Sequence, residues 1–399
     1  MNAIKNINSA NLNEFTHVVF IPSSVEYYDR LIMFCELGLK FRNQYVYLNS
    51  GDIDRNYFKK KYPNANFVFS KKNANTVQKI ISLFKFIKKI KSRHLIIHDL
   101  LIPRLALIHK FIYLLSSRIK AYYFISLYFP NTKYYKTRGW EKLKYPLSQK
   151  EKIHYVKMFK MRSFYERIST HIYDGIIGNS SDITDGIIHW YKFPNNQTAV
   201  IPTAIDISII NKIKKNITKK NRGGKSILYV GSIQPRKEVE LVIEAVSVLI
   251  NKYKLKCSLH IVGAYHTKRE RAINNLILKN NINKYIEFHG HVNADKLYSF
   301  YNNADCFVFP SRWEGSPRAI KEALAFNLPV VAADIPGNRL IDQNGMFINY
   351  VEKQNPQNYA ELINAVIHKK RNKPFTYIDL FKPENIAYLN YQFYKSIVY

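Results

Sequence analysis

The chain has 399 residues, more than one ordinary hydrophobic core organises, so two domains are expected. Its formal net charge is +32, from 61 Lys and Arg against 29 Asp and Glu, and this excess favours an anionic partner such as a lipid surface. Hydrophobic residues make up 47% of the chain, which excludes a disordered protein, and the three cysteines show no metal or redox spacing, so no metal is expected.

The start of the chain has no targeting pattern. Met1–Phe15 is polar and lacks the apolar stretch of a secretory signal. The most apolar window, Leu100–Ser116, is interrupted by Arg104 and Lys110 and is too short to span a bilayer. We therefore expect a cytoplasmic protein, bound peripherally at the inner face of the membrane.

Short apolar runs alternate with helical patterns in the first half. The helical patterns include Thr76–Lys91 and Lys150–Thr170. Alternating strands and helices predict parallel βαβ units. The predicted strands are His17–Pro22, Tyr45–Leu48, Asn66–Phe69, His94–His98, Ala121–Leu127 and Asp174–Ile177.

The second half repeats this pattern, which predicts a second doubly wound sheet. The predicted strands are Ile227–Val230, Leu259–Val262, Ile286–Phe288, Cys306–Phe309, Pro329–Ala332 and Met346–Ile348. The predicted helices are Val239–Tyr253, Thr267–Asn280, Asp295–Asn302, Pro317–Phe326 and Asn358–Lys369. Asn211–Lys225, rich in Lys and Asn, is predicted to be a loop or linker.

These patterns predict two domains. Residues 1–203 are predicted to form an N-terminal Rossmann-like domain, and residues 204–399 a C-terminal Rossmann-like domain. The two face each other across a cleft. Residues 377–399 are predicted as a tail helix, which could cross back to the N-terminal domain.

The segment after the strand Cys306–Phe309 carries the clearest chemistry. Ser316 is predicted as the N-cap of a helix with Pro317 at its first position, and Asn327 tolerates the left-handed conformation that ends a helix. A helix that starts at the carboxyl end of a sheet strand binds phosphate through its free N–H groups and its dipole. Two carboxylates, Glu314 and Glu322, lie on either side of this start.

This spacing, with Gly315 and Pro317 after the first glutamate, resembles the signature of the family 4 (group 1) retaining glycosyltransferases, which have the GT-B fold. Four further segments are similar to motifs of that family: residues 229–237, 260–263, 288–292 and 304–311. The resemblance is clearest over residues 227–348. Together these motifs are far more specific than the glutamate spacing alone.

The resemblance implies that residues 1–203 bind the acceptor and residues 204–399 bind the donor. It also implies a role for each matching residue. Glu322 corresponds to the carboxylate that accepts hydrogen bonds from the donor ribose, and Glu314 to the one beside the transferred sugar. Lys237 corresponds to the lysine that meets the departing diphosphate, whose negative charge grows as the glycosidic bond breaks. No metal or cofactor is implied. The expected catalytic residues are Glu314 and Lys237, and the expected donor-binding residues are Glu322, Arg236, Gly231, Ser232, Gly263, Gly315, Ser316 and Pro317.

The sequence departs from the family at three positions. Ser232 stands where the family usually has arginine, and Arg236 in the same loop is a candidate to supply that charge. The first loop, residues 22–26, has no glycine, and Tyr128 stands where the family often has a histidine. Tyr128 and His98 are the candidates on the acceptor side.

The leading hypothesis is a transferase that moves a sugar, with retention, from a nucleotide-sugar donor to a lipid-linked or oligosaccharide acceptor in bacterial surface polysaccharide synthesis. An anionic membrane is the expected further partner, since the basic face of Thr76–Lys91 suits anionic lipid, although a solvated face is the simpler interpretation. Two alternatives are another nucleotide-sugar enzyme such as an epimerase, and a basic nucleic-acid-binding protein. No recognised nucleic-acid motif supports the latter.

Overall fold

The computed structural model describes residues 170–218, 223–264, 267–369 and 374–398, together with five strands and isolated helical positions earlier in the chain. The strands form two parallel sheets, one of seven strands and one of six. Parallel neighbours require crossover connections, so each sheet is of the doubly wound type that the sequence predicts.

The N-terminal sheet has the order β3-β2-β1-β4-β5-β6-β7. Its strands are β1 His17–Ile21, β2 Gln44–Leu48, β3 Asn66–Phe69, β4 His94–Asp99, β5 Lys120–Leu127, β6 Gly175–Gly178 and β7 Thr198–Val200. The first six lie within two residues of their predicted bounds. The seventh was not predicted, because its three residues are only partly covered and carry no periodic apolar signal.

The C-terminal sheet has the order β10-β9-β8-β11-β12-β13. Its strands are β8 Lys225–Val230, β9 Cys257–Val262, β10 Ile286–Gly290, β11 Cys306–Phe309, β12 Val330–Ala333 and β13 Ile348–Val351. Both faces are covered by core residues. Along β8, Ile227 and Tyr229 point to one apolar cluster and Leu228 to the other, each at most 1% exposed. Burial of one such aliphatic side chain contributes about 1.5–3 kcal/mol.

Nine α-helices lie within the described part of the chain. They are α1 Ser181–Tyr191, α2 Ile207–Asn216, α3 Val239–Asn251, α4 Thr267–Lys279, α5 Ala294–Asn303, α6 Arg318–Ala325, α7 Pro336–Arg339, α8 Pro356–Ile367 and α9 Pro383–Val398. The prediction of a loop over Asn211–Lys225 is wrong for its first part, because α2 extends to Asn216. The Asp206 carboxylate caps α2 by accepting from the Ile209 N–H, and Ile210 is buried in the core.

The predicted boundary near residue 203 falls between β7 and α2, and it stays a prediction. The tail is helical, as predicted, and α9 buries five apolar side chains: Ile386, Ala387, Tyr391, Phe393 and Tyr394. None of these belongs to the two apolar clusters of the C-terminal sheet as described. A crossing of α9 back to the N-terminal domain also stays a prediction. Within the described residues, no helix combines the length and apolar content that crossing a bilayer requires.

Candidate active site

Two loops that leave the C-terminal sheet at the same edge form the candidate site. Strands β8 and β11 are parallel neighbours, with Ile227 opposite Cys306. The carboxyl ends of parallel neighbours lie at one edge, so the loop after Val230 and the loop after Phe309 meet there. A backbone hydrogen bond of 2.9 Å from the Arg312 N–H to the Arg236 carbonyl joins them.

Two reciprocal ion pairs connect the same loops. Arg236 Nη1 lies 2.6 Å from Glu314 Oε1, and Arg312 Nε lies 2.5 Å from Glu238 Oε2. Each loop therefore supplies one arginine and one carboxylate. Glu238 is 1% exposed and adopts a left-handed backbone with φ of 43°, so its pairing with Arg312 holds a conformation that is unfavourable for a non-glycine residue.

Lys237 completes the group of charges. Its Nζ lies 2.6 Å from Glu314 Oε1 and 4.7 Å from the centre of the Phe309 ring. Burial lowers the pKa of Lys237 to about 8, with the nearby Arg236 acting in the same direction and Glu314 opposing both. The protonated amine is still the main form at neutral pH, but the Lys237 side chain is far less exposed to solvent than that of a surface lysine.

Glu314 is ionised at neutral pH. Burial on its own would raise the pKa of this carboxyl, but the charges of Arg236 and Lys237 outweigh burial and lower it. Its main chain is also held closely, because a Cβ at Gly337 in α7 would lie 2.1 Å from the Glu314 carbonyl oxygen. Only glycine allows α7 to approach this loop so closely.

The charge of this cluster is unbalanced. Arg236 and Lys237 share one oxygen of Glu314, so two cations face one carboxylate in a partly dry setting. The free N–H groups at the start of α6 follow directly after the loop. Such an arrangement attracts a further anion, and a diphosphate matches its charge.

Glu322, in the second turn of α6, is 4% exposed and lies between two partners that the sequence did not indicate. Tyr301 donates a hydrogen bond of 3.0 Å to Oε2, and Arg318 Nη2 lies 3.0 Å from Oε1. Burial, with Glu322 adding to it, raises the pKa of Tyr301 well above its usual value, so Tyr301 stays a donor. An ionised carboxylate has further lone pairs, so these partners leave room for another hydrogen bond.

Ser316 is not the N-cap of α6, and Pro317 is not the first helical residue: Pro317 is the cap, without a side-chain hydrogen bond. The Ser316 hydroxyl oxygen instead accepts from the Thr203 N–H at 3.1 Å and from Lys321 Nζ at 2.9 Å. Lys321 is completely buried and also donates to the carbonyl and hydroxyl oxygens of Thr203. Burial lowers the pKa of Lys321 well below its usual value. The predicted left-handed closing residue, Asn327, is confirmed, with φ of 57°.

The predicted glycines lie where backbones approach closely. Gly263, with φ of 147°, has no room for a side chain, since a Cβ would lie 2.1 Å from the Gly231 carbonyl oxygen. The Ser232 carbonyl accepts a hydrogen bond of 3.2 Å from the buried Tyr229 hydroxyl. Gly315 lies against Gly337, where a Cβ would be 2.7 Å from the Gly315 carbonyl oxygen.

The structure says less about the acceptor side. His98 lies in β4, opposite Phe20 and Phe124 in the strand register. Tyr128 follows β5 and lies outside the described residues. The acceptor roles of both residues stay predictions, as do the donor roles of the C-terminal residues.

Two doubly wound parallel domains define the GT-B fold, and comparison with solved structures confirms it. One similar structure is that of Anabaena HepE in complex with UDP and glucose, with a TM-score of 0.62, 14% sequence identity, and coverage of 96% of this chain and 97% of that one. At this identity the likeness shows the fold.

The C-terminal half also matches a family. Residues 211–377 match the model described as "Glycosyl transferases group 1". The chain is 27% identical over 207 residues to D-inositol 3-phosphate glycosyltransferase of Geodermatophilus obscurus, covering 49% of this chain and 46% of the relative. It is 25% identical over 235 residues to the Staphylococcus aureus capsular polysaccharide biosynthesis glycosyltransferase CapH, covering 59% and 64%. The chain thus matches about half to two thirds of the length of these relatives. These findings support the group 1 family of GT-B proteins.

Proposed function

We propose that the protein is a glycosyltransferase that moves a sugar from a nucleotide-sugar donor to a saccharide acceptor. The observation that carries the proposal is the cluster in which Arg236 and Lys237 share one oxygen of Glu314. Two fixed cations beside the start of α6 suit a leaving nucleoside diphosphate, whose charge grows as the glycosidic bond breaks. The family match over residues 211–377 and the UDP complex of HepE support the same donor class.

Each side chain of the cluster has a part in this proposal. Lys237 meets the departing diphosphate, and Arg236 supplies the cation that the family usually has at the position of Ser232. Glu314 bonds hydroxyls of the transferred sugar, and Glu322 accepts from the donor ribose. Retention of the anomeric configuration belongs to the proposal, as does the expectation that the two cations stabilise the leaving group without a metal.

The proposed acceptor is a saccharide on a lipid carrier, as an intermediate of a bacterial surface polysaccharide. The capsular role printed in the name of CapH supports this acceptor, and the net charge of +32 supports work at an anionic membrane. Isolated helical positions before β6 add to this support, since Ile153, Val156 and Phe164 are 50–63% exposed and basic side chains at neighbouring described positions are exposed too. The exposed basic residues are Lys152, Lys157 and Arg167. The comparisons favour neither an epimerase nor a nucleic-acid-binding protein.

Lys237→Ala tests the proposal. We expect turnover to fall about 10²–10³-fold, because a buried donor to the leaving diphosphate is lost, with a smaller effect on ground-state donor affinity. The measurement is sugar transfer or slow donor hydrolysis with the donor found by a thermal-shift screen of UDP-, GDP- and dTDP-sugars. Lys296→Ala, in an exposed position of α5, is the matched control and should keep the wild-type rate. A folded Lys237→Ala variant that transfers sugar at the wild-type rate would contradict the assignment of the donor site.

A further inference from the structure

Three potential metal ligands meet on one face of the C-terminal sheet, at its edge. His260 lies in β9, and Glu287, its partner in the strand register, lies in the edge strand β10 with His289 two residues later. Alternate residues of β10 point to opposite faces, so Ile286 and Phe288 join the apolar core while Glu287 and His289 lie on the side of His260. The strand register pairs His260 with Glu287, and His289, at the register shift between Phe288 and Gly290, lies beside both.

The distances between their ligand atoms suit one metal ion. His260 Nδ1 lies 3.0 Å from His289 Nε2 and 3.3 Å from Glu287 Oε2, and His289 Nε2 lies 3.7 Å from the same carboxylate oxygen. Tetrahedral Zn²⁺ has bonds of about 2.0–2.2 Å, which separates its ligand atoms by about 3.3–3.5 Å. Of the three observed distances, 3.3 Å falls in this range, 3.0 Å lies below it and 3.7 Å lies above it.

The chemistry of the donor set also fits. Two imidazole nitrogens and one carboxylate oxygen form a common set for Zn²⁺. The second ring nitrogen of His260, Nε2, lies 3.2 Å from Ser258 Oγ. When Nε2–H donates to that hydroxyl, the lone pair of Nδ1 points to the cluster, which is the usual way in which an outer hydrogen bond orients a ligating histidine.

The cluster is buried on one side and exposed to solvent on the other. The His260 side chain is 2% exposed and that of His289 is 18% exposed, whereas the Glu287 side chain is 53% exposed. The Phe300 ring of α5 packs against His289 in a tilted arrangement, at 4.3 Å between ring centres. An ion can thus enter from solvent beside Glu287 and be held against an apolar wall.

We propose that His260 Nδ1, His289 Nε2 and Glu287 Oε2 bind one divalent first-row transition metal ion, of which Zn²⁺ is the probe. Water completes the coordination on the open side, and the ion fastens the edge strand β10 to β9. The cluster lies on β9 and β10, whereas the arginine–glutamate pairs of the candidate active site follow β8 and β11. The proposed metal site therefore rests on different residues from the proposed transferase activity, and each can be tested separately.

The test uses the full chain, stripped with a chelator and titrated with Zn²⁺ by calorimetry, with metal content measured after gel filtration. We expect one tightly held equivalent per chain and a rise in Tm, because an ion that binds only the folded state stabilises it. Glu287→Gln and His289→Ala should each weaken this binding at least about tenfold. Co²⁺ in place of Zn²⁺ should give an absorption band typical of a four- or five-coordinate site, which both variants lose.

His291→Ala is the matched control, because it removes an exposed histidine two residues beyond the cluster. It should keep the tight equivalent. An equal loss in His291→Ala, or weak binding of several equivalents that both cluster variants retain, would mean that Zn²⁺ binds surface histidines without this site. Absence of Zn²⁺ binding by the folded wild-type chain would leave the imidazoles joined by a plain hydrogen bond and would overturn the proposal.

Discussion

Lys237 is a buried lysine with a lowered pKa in the proposed donor site. It is positively charged at neutral pH, yet burial lowers its pKa to about 8, against an ordinary value of 10.5. A lysine with a lowered pKa loses its proton within the range of an ordinary activity assay. In the proposed mechanism, the charge of Lys237 beside the leaving diphosphate therefore depends on pH.

This pKa leads to a prediction. The value of kcat/KM, which reports the ionisation of the free enzyme, should fall as the pH rises through about 8, because the ammonium is present below that pH and lost above it. Lys237→Arg should keep part of its activity and lose this decline, since a guanidinium stays charged throughout the range. The measurement is a pH profile of kcat/KM from pH 6 to 10. A decline at the same pH in Lys237→Arg would assign it to another group.

Glu322 makes a second prediction at this scale. Glu322→Gln should weaken donor affinity about tenfold or more, because hydrogen bonds to an ionised acceptor contribute about 1.5–3 kcal/mol, while turnover of bound donor changes less. Calorimetry with the donor and kcat at saturation separate the two effects. Tyr301→Phe is the matched control: it removes the hydrogen bond to Glu322 but keeps the carboxylate, so donor affinity should fall much less. Equal losses in both variants would indicate a structural role for Glu322.

At the scale of elements, the short helix α7 positions the loop that carries Glu314. Gly337→Ala should lower the free energy of unfolding by about 1–3 kcal/mol and reduce turnover, because the added Cβ would meet the Glu314 carbonyl oxygen at 2.1 Å. Gly223→Ala is the control, since it introduces backbone strain at φ of 69° in open space, without a clash. It should cost about 1 kcal/mol and leave turnover unchanged. Chemical denaturation and a transfer assay measure both.

The elements also show what the sequence could predict. Continuous apolar runs such as Cys306–Phe309 are fully buried strands, and they were predicted almost to the residue. The helix α2 was missed because its lysines and asparagines obscure an apolar face of only a few isoleucines. Lys237 and Glu314, the two residues expected from the sequence to be catalytic, are in contact in the structure. Tyr301 and Lys321 were missed, because along the chain they cannot be told from a core aromatic and a solvated lysine.

At the scale of the whole molecule, the positive charge leads to a prediction about membranes. Binding to vesicles should rise with anionic lipid content and fall with salt, since each basic residue near the surface contributes about 1 kcal/mol. The triple variant Lys152/Lys157/Arg167→Glu should bind much less. The triple variant Lys212/Lys215/Lys284→Glu makes the same change of net charge at exposed sites of the C-terminal half. Equal losses of vesicle binding in the two triple variants would mean that net charge, and not Lys152, Lys157 and Arg167, determines binding. Equal binding of the wild-type chain to neutral and anionic vesicles would contradict the prediction.

The buried amine of Lys321 has a consequence for dividing the chain into fragments. Its Nζ contacts three oxygens of Thr203 and Ser316, so helix α6 holds a residue of the segment that connects the two sheets. A separate C-terminal fragment that began at residue 204 would remove two of those oxygens and leave the buried Nζ with one. A fragment that began a few residues earlier would keep all three. The residue at which a C-terminal fragment should begin thus depends on a lysine more than a hundred residues further along the chain, and not on the linker's own composition.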